Sequence, residues 1–122
     1  MLRTASLAVA LIAGLGVTAA EAHPQLVTAS PAQGAKLSAP PKEIRMSFSE
    51  KLILNFSGLE LKDGKGKIVS TGKAALAPGD DKRLVVPVAA RLAPGAYTVA
   101  WHAVSVDTHR VTGRYGFTVA RK

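Results

Sequence analysis

The chain has no cysteine. That absence removes a disulfide framework, a thiolate zinc site and a blue-copper electron-transfer centre, whose trigonal geometry needs a cysteine sulfur. Methionine is almost as scarce, with Met46 the only one after Met1. A thioether cluster for Cu(I) cannot be built from one residue. Aromatic residues make up 5% of the chain, too few for a base-stacking or sugar-binding surface. The charge is lopsided, with 16 Lys and Arg against 8 Asp and Glu. The lysines at 36, 42, 51, 62, 65, 67, 73 and 82 are nevertheless scattered over turns and strand edges, without aromatic interleaving or a basic helix, so no nucleic-acid partner is expected. Whatever ion binds here binds through nitrogen and oxygen.

The first residues look like an export signal. Arg3 supplies a positive start, Leu7 to Val17 is apolar and broken only by small residues, and Ala20-Glu21-Ala22 has the small-x-small form cut by a signal peptidase. The apolar run is short for a membrane span. Residues 1–22 are therefore read as a cleaved signal peptide and 23–122 as one small domain, with the periplasm as the expected compartment.

Cleavage there would make His23 the first residue of the mature protein. Its free α-amine and its ring Nδ1 can then close a chelate on one metal ion, an arrangement suited to Cu(II). Pro24 has no backbone N–H, so the second residue cannot supply an amide-nitrogen ligand. Further ligands must come from elsewhere in the fold.

Beyond His23 the apolar residues alternate with period two. Ile44, Met46 and Phe48 share one face, as do Leu59 and Leu61, then Leu84, Val86 and Val88, then Tyr97, Val99, Trp101 and Ala103, then Tyr115, Phe117 and Val119. Turn residues separate these runs at Pro40-Pro41, Asp63-Gly64-Lys65-Gly66, Pro78-Gly79-Asp80 and Pro94-Gly95. About seven short strands and no helical period predict an all-β fold, a two-sheet antiparallel sandwich or Greek-key barrel. Pro87 is expected on an edge strand or at a bulge.

Chemistry concentrates in Trp101-His102-Ala103-Val104-Ser105-Val106-Asp107-Thr108-His109. Asp107 and His109 are two residues apart, so on extended backbone both side chains leave the same face. Alone, that pair reads as a capped surface loop. Joined to a terminal histidine it completes amine, imidazole, imidazole and carboxylate, the nitrogen-rich tetragonal set that suits Cu(II). His102 faces away from Trp101 and reads as a surface or edge histidine, with a weak additional metal ligand as the alternative.

These residues resemble the CopC family of periplasmic copper-resistance proteins, including its PcoC branch. The resemblance is carried by His23-Pro24-x-Leu26, Ser30-Pro31-Ala32-x-Gly34, Pro41-x-Glu43-Ile44, Phe48-Ser49-Glu50, Phe56-Ser57-Gly58, Pro94-Gly95-x-Tyr97-x-Val99-x-Trp101 and Val104-Ser105-x-Asp107-Thr108-His109-x-x-x-Gly113. It implies a cupredoxin-like or Ig-like β-barrel that binds Cu(II) through His23, Asp107 and His109, with Glu50 as an acid behind the ligands. It also implies a copper carrier or buffer, whose partner is the ion and possible acceptors are a CopD-like inner-membrane protein or another periplasmic copper protein. The methionine-rich loop of some members is replaced by Leu61-Lys62-Asp63-Gly64-Lys65-Gly66-Lys67-Ile68, so no Cu(I) site is expected. His102 stands where arginine is more frequent, and Arg110 where proline is common. A copper monooxygenase using an N-terminal histidine and an Ig-like adhesion module are the alternative functions.

Overall fold

A computed structural model describes residues 23–121. The expected signal peptide, residues 1–22, lies outside the described residues, as does Lys122. The described residues form nine strands: β1 (Leu26–Ser30), β2 (Lys36–Leu37), β3 (Glu43–Phe48), β4 (Gly58–Asp63), β5 (Ile68–Val69), β6 (Ala75–Ala77), β7 (Asp80–Pro87), β8 (Gly95–Val104) and β9 (Arg110–Val119). They make two sheets, ordered β1-β3-β7-β6 and β2-β9-β8-β4-β5. The fold is a β-sandwich, and the only helical segment among the described residues is a single 3-10 turn at Leu54–Phe56.

Period-two patterning decides which faces meet. Ile44, Met46 and Phe48 of β3, Leu84 and Val86 of β7, Tyr97, Val99, Trp101 and Ala103 of β8, and Tyr115, Phe117 and Val119 of β9 are all buried in one cluster. Their strand neighbours point outward, because successive side chains leave opposite faces. Phe48 and Trp101 join the sheets edge to face, with ring centroids 5.3 Å apart, a contact worth about 0.5–1.5 kcal/mol beyond its buried area. Tyr97 Oη donates to the Ala93 carbonyl at 2.6 Å, which satisfies the hydroxyl of a ring stacked on Phe117. The β4–β5 turn closes on Asp63, whose Oδ1 accepts the Lys65 and Lys67 N–H groups at 2.9 Å each.

Three details refine the sequence reading. The strands number nine because β2 and β5, two residues each, and three-residue β6 are too short to show a period. The pairing is not wholly antiparallel, since β2 runs parallel to β9. Pro87 is not on an edge strand: β7 is an inner strand, and Pro87 is its last residue, opposite Glu43 of β3. The β6 ladder ends before it, pairing only as far as Val85. Beyond it Thr71 bridges Val88 and the Gly72 N–H donates to the Pro87 carbonyl at 2.8 Å, so the pairing slips by one residue between Val85 and Val88, an irregularity that accommodates the proline's missing N–H.

Gly113 of β9 stands directly opposite Trp101 of β8. A Cβ there would sit 2.5 Å from the indole Cζ2, so the tryptophan packs flat on bare backbone. Gly113→Ala should force the ring out of place and cost roughly 1–3 kcal/mol. Urea unfolding followed by Trp101 fluorescence measures this directly; a variant as stable as the parent, with unchanged emission, would mean that the ring has room to spare.

Candidate metal centre

The two sheets meet at one end through a short seam. The chain leaves β3 at Phe48 and crosses towards β4, and on the way Leu52 bridges Ser105. The Ile53 N–H donates to the Val104 carbonyl at 2.8 Å and the Val106 N–H to the Lys51 carbonyl at 2.9 Å. Ser57 Oγ adds a clamp, accepting the Val104 N–H at 3.0 Å and donating to the Ile53 carbonyl at 2.9 Å. These bonds fix the root of the loop between β8 and β9, which carries Asp107 and His109.

That loop is a tight turn. The Thr108 N–H donates to the Ser105 carbonyl at 2.7 Å, and the Ser105 N–H to the His109 carbonyl at 3.0 Å. Thr108 has φ of 72°, a left-handed conformation that a β-branched residue adopts only when its surroundings impose it. The turn leaves Asp107 and His109 on the same side, with His109 Nδ1 3.4 Å from Asp107 Oδ1. Both are exposed, whereas Ser105 is completely buried. Ser105 Oγ donates to Asp107 Oδ1.

His23 reaches the same place from the other sheet. Pro24 is fully buried, and Gln25 is tied to Ser49 twice, its N–H donating to Ser49 Oγ at 2.9 Å and its carbonyl accepting the Ser49 N–H at 2.9 Å. Just ahead of this anchor, the exposed His23 ring meets the His109 ring edge to face, with centroids 4.6 Å apart. Residues far apart in sequence are thus brought together as two pairs, His23 with His109 and His109 with Asp107. Among the described residues, no group of three or more His, Cys, Asp or Glu side chains is drawn up as a ready-made cage for a metal ion. In the uncleaved chain the His23 nitrogen is an amide joined to Ala22, so the amine donor exists only after processing. The donors available, two imidazoles and a carboxylate, fit a borderline ion with a preference for nitrogen.

Glu50 lies between Ser49, which holds Gln25, and Lys51, which holds Val106, so its backbone stands between the two segments carrying the candidate ligands. Its carboxylate has no hydrogen-bond partner among the described residues. His102 is elsewhere. It lies on the outer face of the five-stranded sheet, across from Thr112 on β9 and Gly58 on β4, where a Cβ on Gly58 would meet its Cε1 at 3.3 Å. Burial and then the Arg110 charge hold its pKa below the usual value, while Glu60 pulls the other way. Sequence reasoning assigned no role to Ser57 or Ser105 and read Pro24 only as a residue without an N–H, not as a buried anchor, although all three fall within the quoted motifs.

The fold and this end of it define a class: a small β-sandwich with a histidine and carboxylate cluster where its sheets are laced together. The family model described as the CopC domain matches residues 26–120, and the chain belongs to the CopC family. It is 41% identical to copper resistance protein C of Pseudomonas syringae pv. tomato, over 98% of each chain. Among solved structures, CopC from Methylosinus trichosporium OB3b superposes with a TM-score of 0.75 at 32% identity, covering 80% of this chain and 94% of that one. PcoC of Escherichia coli, described as a methionine-rich copper resistance protein, gives 0.73 at 38% identity, covering 80% and 99%.

Asp107 titrates below 3.8, first because of the Ser105 hydroxyl and then because of His109. A carboxyl with a lowered folded pKa favours the native turn above its unfolded value, and that contribution disappears as the pH falls through the folded one. In the metal-free protein, Ser105→Ala should therefore raise the Asp107 pKa towards 3.8, and by more than His109→Ala does. Carboxyl NMR titration would show it; equal or reversed effects would contradict the ranking of causes.

Proposed function

We propose that the mature protein is a non-enzymatic Cu(II) carrier or buffer of the periplasm, with His23, Asp107 and His109 as ligands and Glu50 behind them. The observation that carries this reading is the meeting of the His23 and His109 rings, 4.6 Å between centroids, beside the Asp107 carboxylate. Relatives named for copper resistance support copper as the ion. Once the leader is removed, the His23 amine joins two imidazoles and a carboxylate, and this set favours Cu(II) over Cu(I). Met46 has no exposed surface and sits in the core of β3, which supports the reading that the mature protein has no counterpart to a methionine-rich Cu(I) site. A ligand set without sulfur suits holding and releasing the ion. A CopD-like membrane protein or another periplasmic copper protein is the fitting acceptor.

Copper titration of two forms tests the reading, one starting at His23 and the other carrying one extra residue before it. The first should bind one Cu(II), and the second should bind more weakly by at least about tenfold, equivalent to roughly 1.4 kcal/mol. Equal affinities would remove the amine from the site. Because amines and imidazoles must shed protons to bind a metal, apparent affinity should fall steeply as the pH drops from about 8 to about 5. His109→Ala should flatten that slope by about one proton, whereas Asp107→Ala should weaken binding with little change in slope near neutrality. If His102→Ala abolishes binding while His109→Ala is silent, the site has been placed on the wrong residues.

A further inference from the structure

We infer that Ser105 is a positioning residue for the metal site: its buried hydroxyl holds the Asp107 carboxylate in the orientation in which it meets copper. The inference rests on the reading above that Asp107 is a ligand.

Asp107 is exposed and sits on a turn, where a free carboxylate would sample several rotamers. Its 3.4 Å separation from His109 Nδ1 is beyond the usual N–H···O range, so that contact orients it weakly. Ser105 differs in every respect. It is 0% exposed, beside Leu52 at 4% and Val104 at 8%, and burying a hydroxyl in such surroundings is costly unless it is hydrogen-bonded. Its backbone is held on both sides of the seam, by the bridge to Leu52 and by the bond from its N–H to the His109 carbonyl. From that fixed point its Oγ donates to Asp107 Oδ1. One residue therefore controls both proposed loop ligands, the backbone of His109 and the side chain of Asp107.

Ligating carboxylates are commonly held by such outer hydrogen bonds, and removing one typically weakens metal binding 10–100-fold. The bond also restricts the carboxylate before the ion arrives, so less freedom is lost on binding.

A double-mutant cycle distinguishes positioning from a general effect on the loop. Cu(II) dissociation constants would be measured by chelator competition for the form beginning at His23 and for its Ser105→Ala, Asp107→Ala and doubly substituted variants. Ser105→Ala should weaken binding about tenfold and split the Cu(II) electron paramagnetic resonance signal into more than one species. In the Asp107→Ala background the same change should alter affinity by less than about twofold, within the additivity expected of uncoupled sites. If Ser105→Ala is poorly folded by the Trp101 fluorescence test, Ser105→Gly removes the hydroxyl without adding bulk or a metal-binding group and should give the same pattern. An equal loss in both backgrounds would make Ser105 merely structural, and no loss in either would overturn the inference. Failure of the parent protein to bind Cu(II), or an Asp107→Ala variant that binds as tightly as the parent, would instead overturn the reading on which it rests.

Discussion

The pairing of Lys51–Ile53 against Val104–Val106 is the constraint on which the rest of this end of the molecule depends. It is short, a single bridge between Leu52 and Ser105 with one backbone bond on either side. Yet it joins the segment leaving one sheet to the last residues of β8 in the other. The Gln25–Ser49 bonds tie the N-terminal residues to the same crossing segment. Without the seam, His23 and His109 would belong to separate sheets whose relative position rests on core packing alone. With it, His23 and a loop 86 residues later share one backbone framework, and the His23 and His109 rings touch.

Much of the fold was legible because a sandwich buries alternate residues. The inward faces of β3, β8 and β9 follow directly from Ile44 to Phe48, Tyr97 to Ala103 and Tyr115 to Val119. The short strands were not legible, since two residues carry no period and the parallel β2–β9 contact depends on where a distant loop falls. Pro87 sits at a slip in the pairing, as its missing N–H suggests, but its sequence neighbours do not show that β7 is an inner strand. The three candidate ligands were named from donor chemistry and motif. What the sequence could not convey was how they are held. A buried serine, a clamping serine and a buried proline resemble ordinary turn residues until the seam brings Ser57 to Val104 and Ser105 to Asp107. Gly113 similarly looks like a loop glycine, and only the register opposite Trp101 reveals why no side chain fits there.

The chemistry of the site is narrowed by what the chain does not supply. With no cysteine in the chain and, among the described residues, a single thioether that is fully buried, the donors at the described surface are nitrogen and oxygen, and those of the candidate site are arranged in pairs across the seam. In the proposed site the terminal amine is a donor that cleavage before His23 would create, because a peptide nitrogen cannot play the same part. The site as proposed is thus completed by three contributions of different origin: a loop shaped by Ser105, an N-terminal residue anchored through Pro24 and Gln25, and the cleavage itself.

The central claim is that copper sits between His23 and His109. Electron spin-echo envelope modulation on the Cu(II)-loaded form beginning at His23 counts coordinated imidazoles directly. Two equatorial imidazoles are expected in the parent, falling to one in His109→Ala and staying at two in His102→Ala. A single imidazole in the parent, or loss of one on replacing His102 rather than His109, would contradict it.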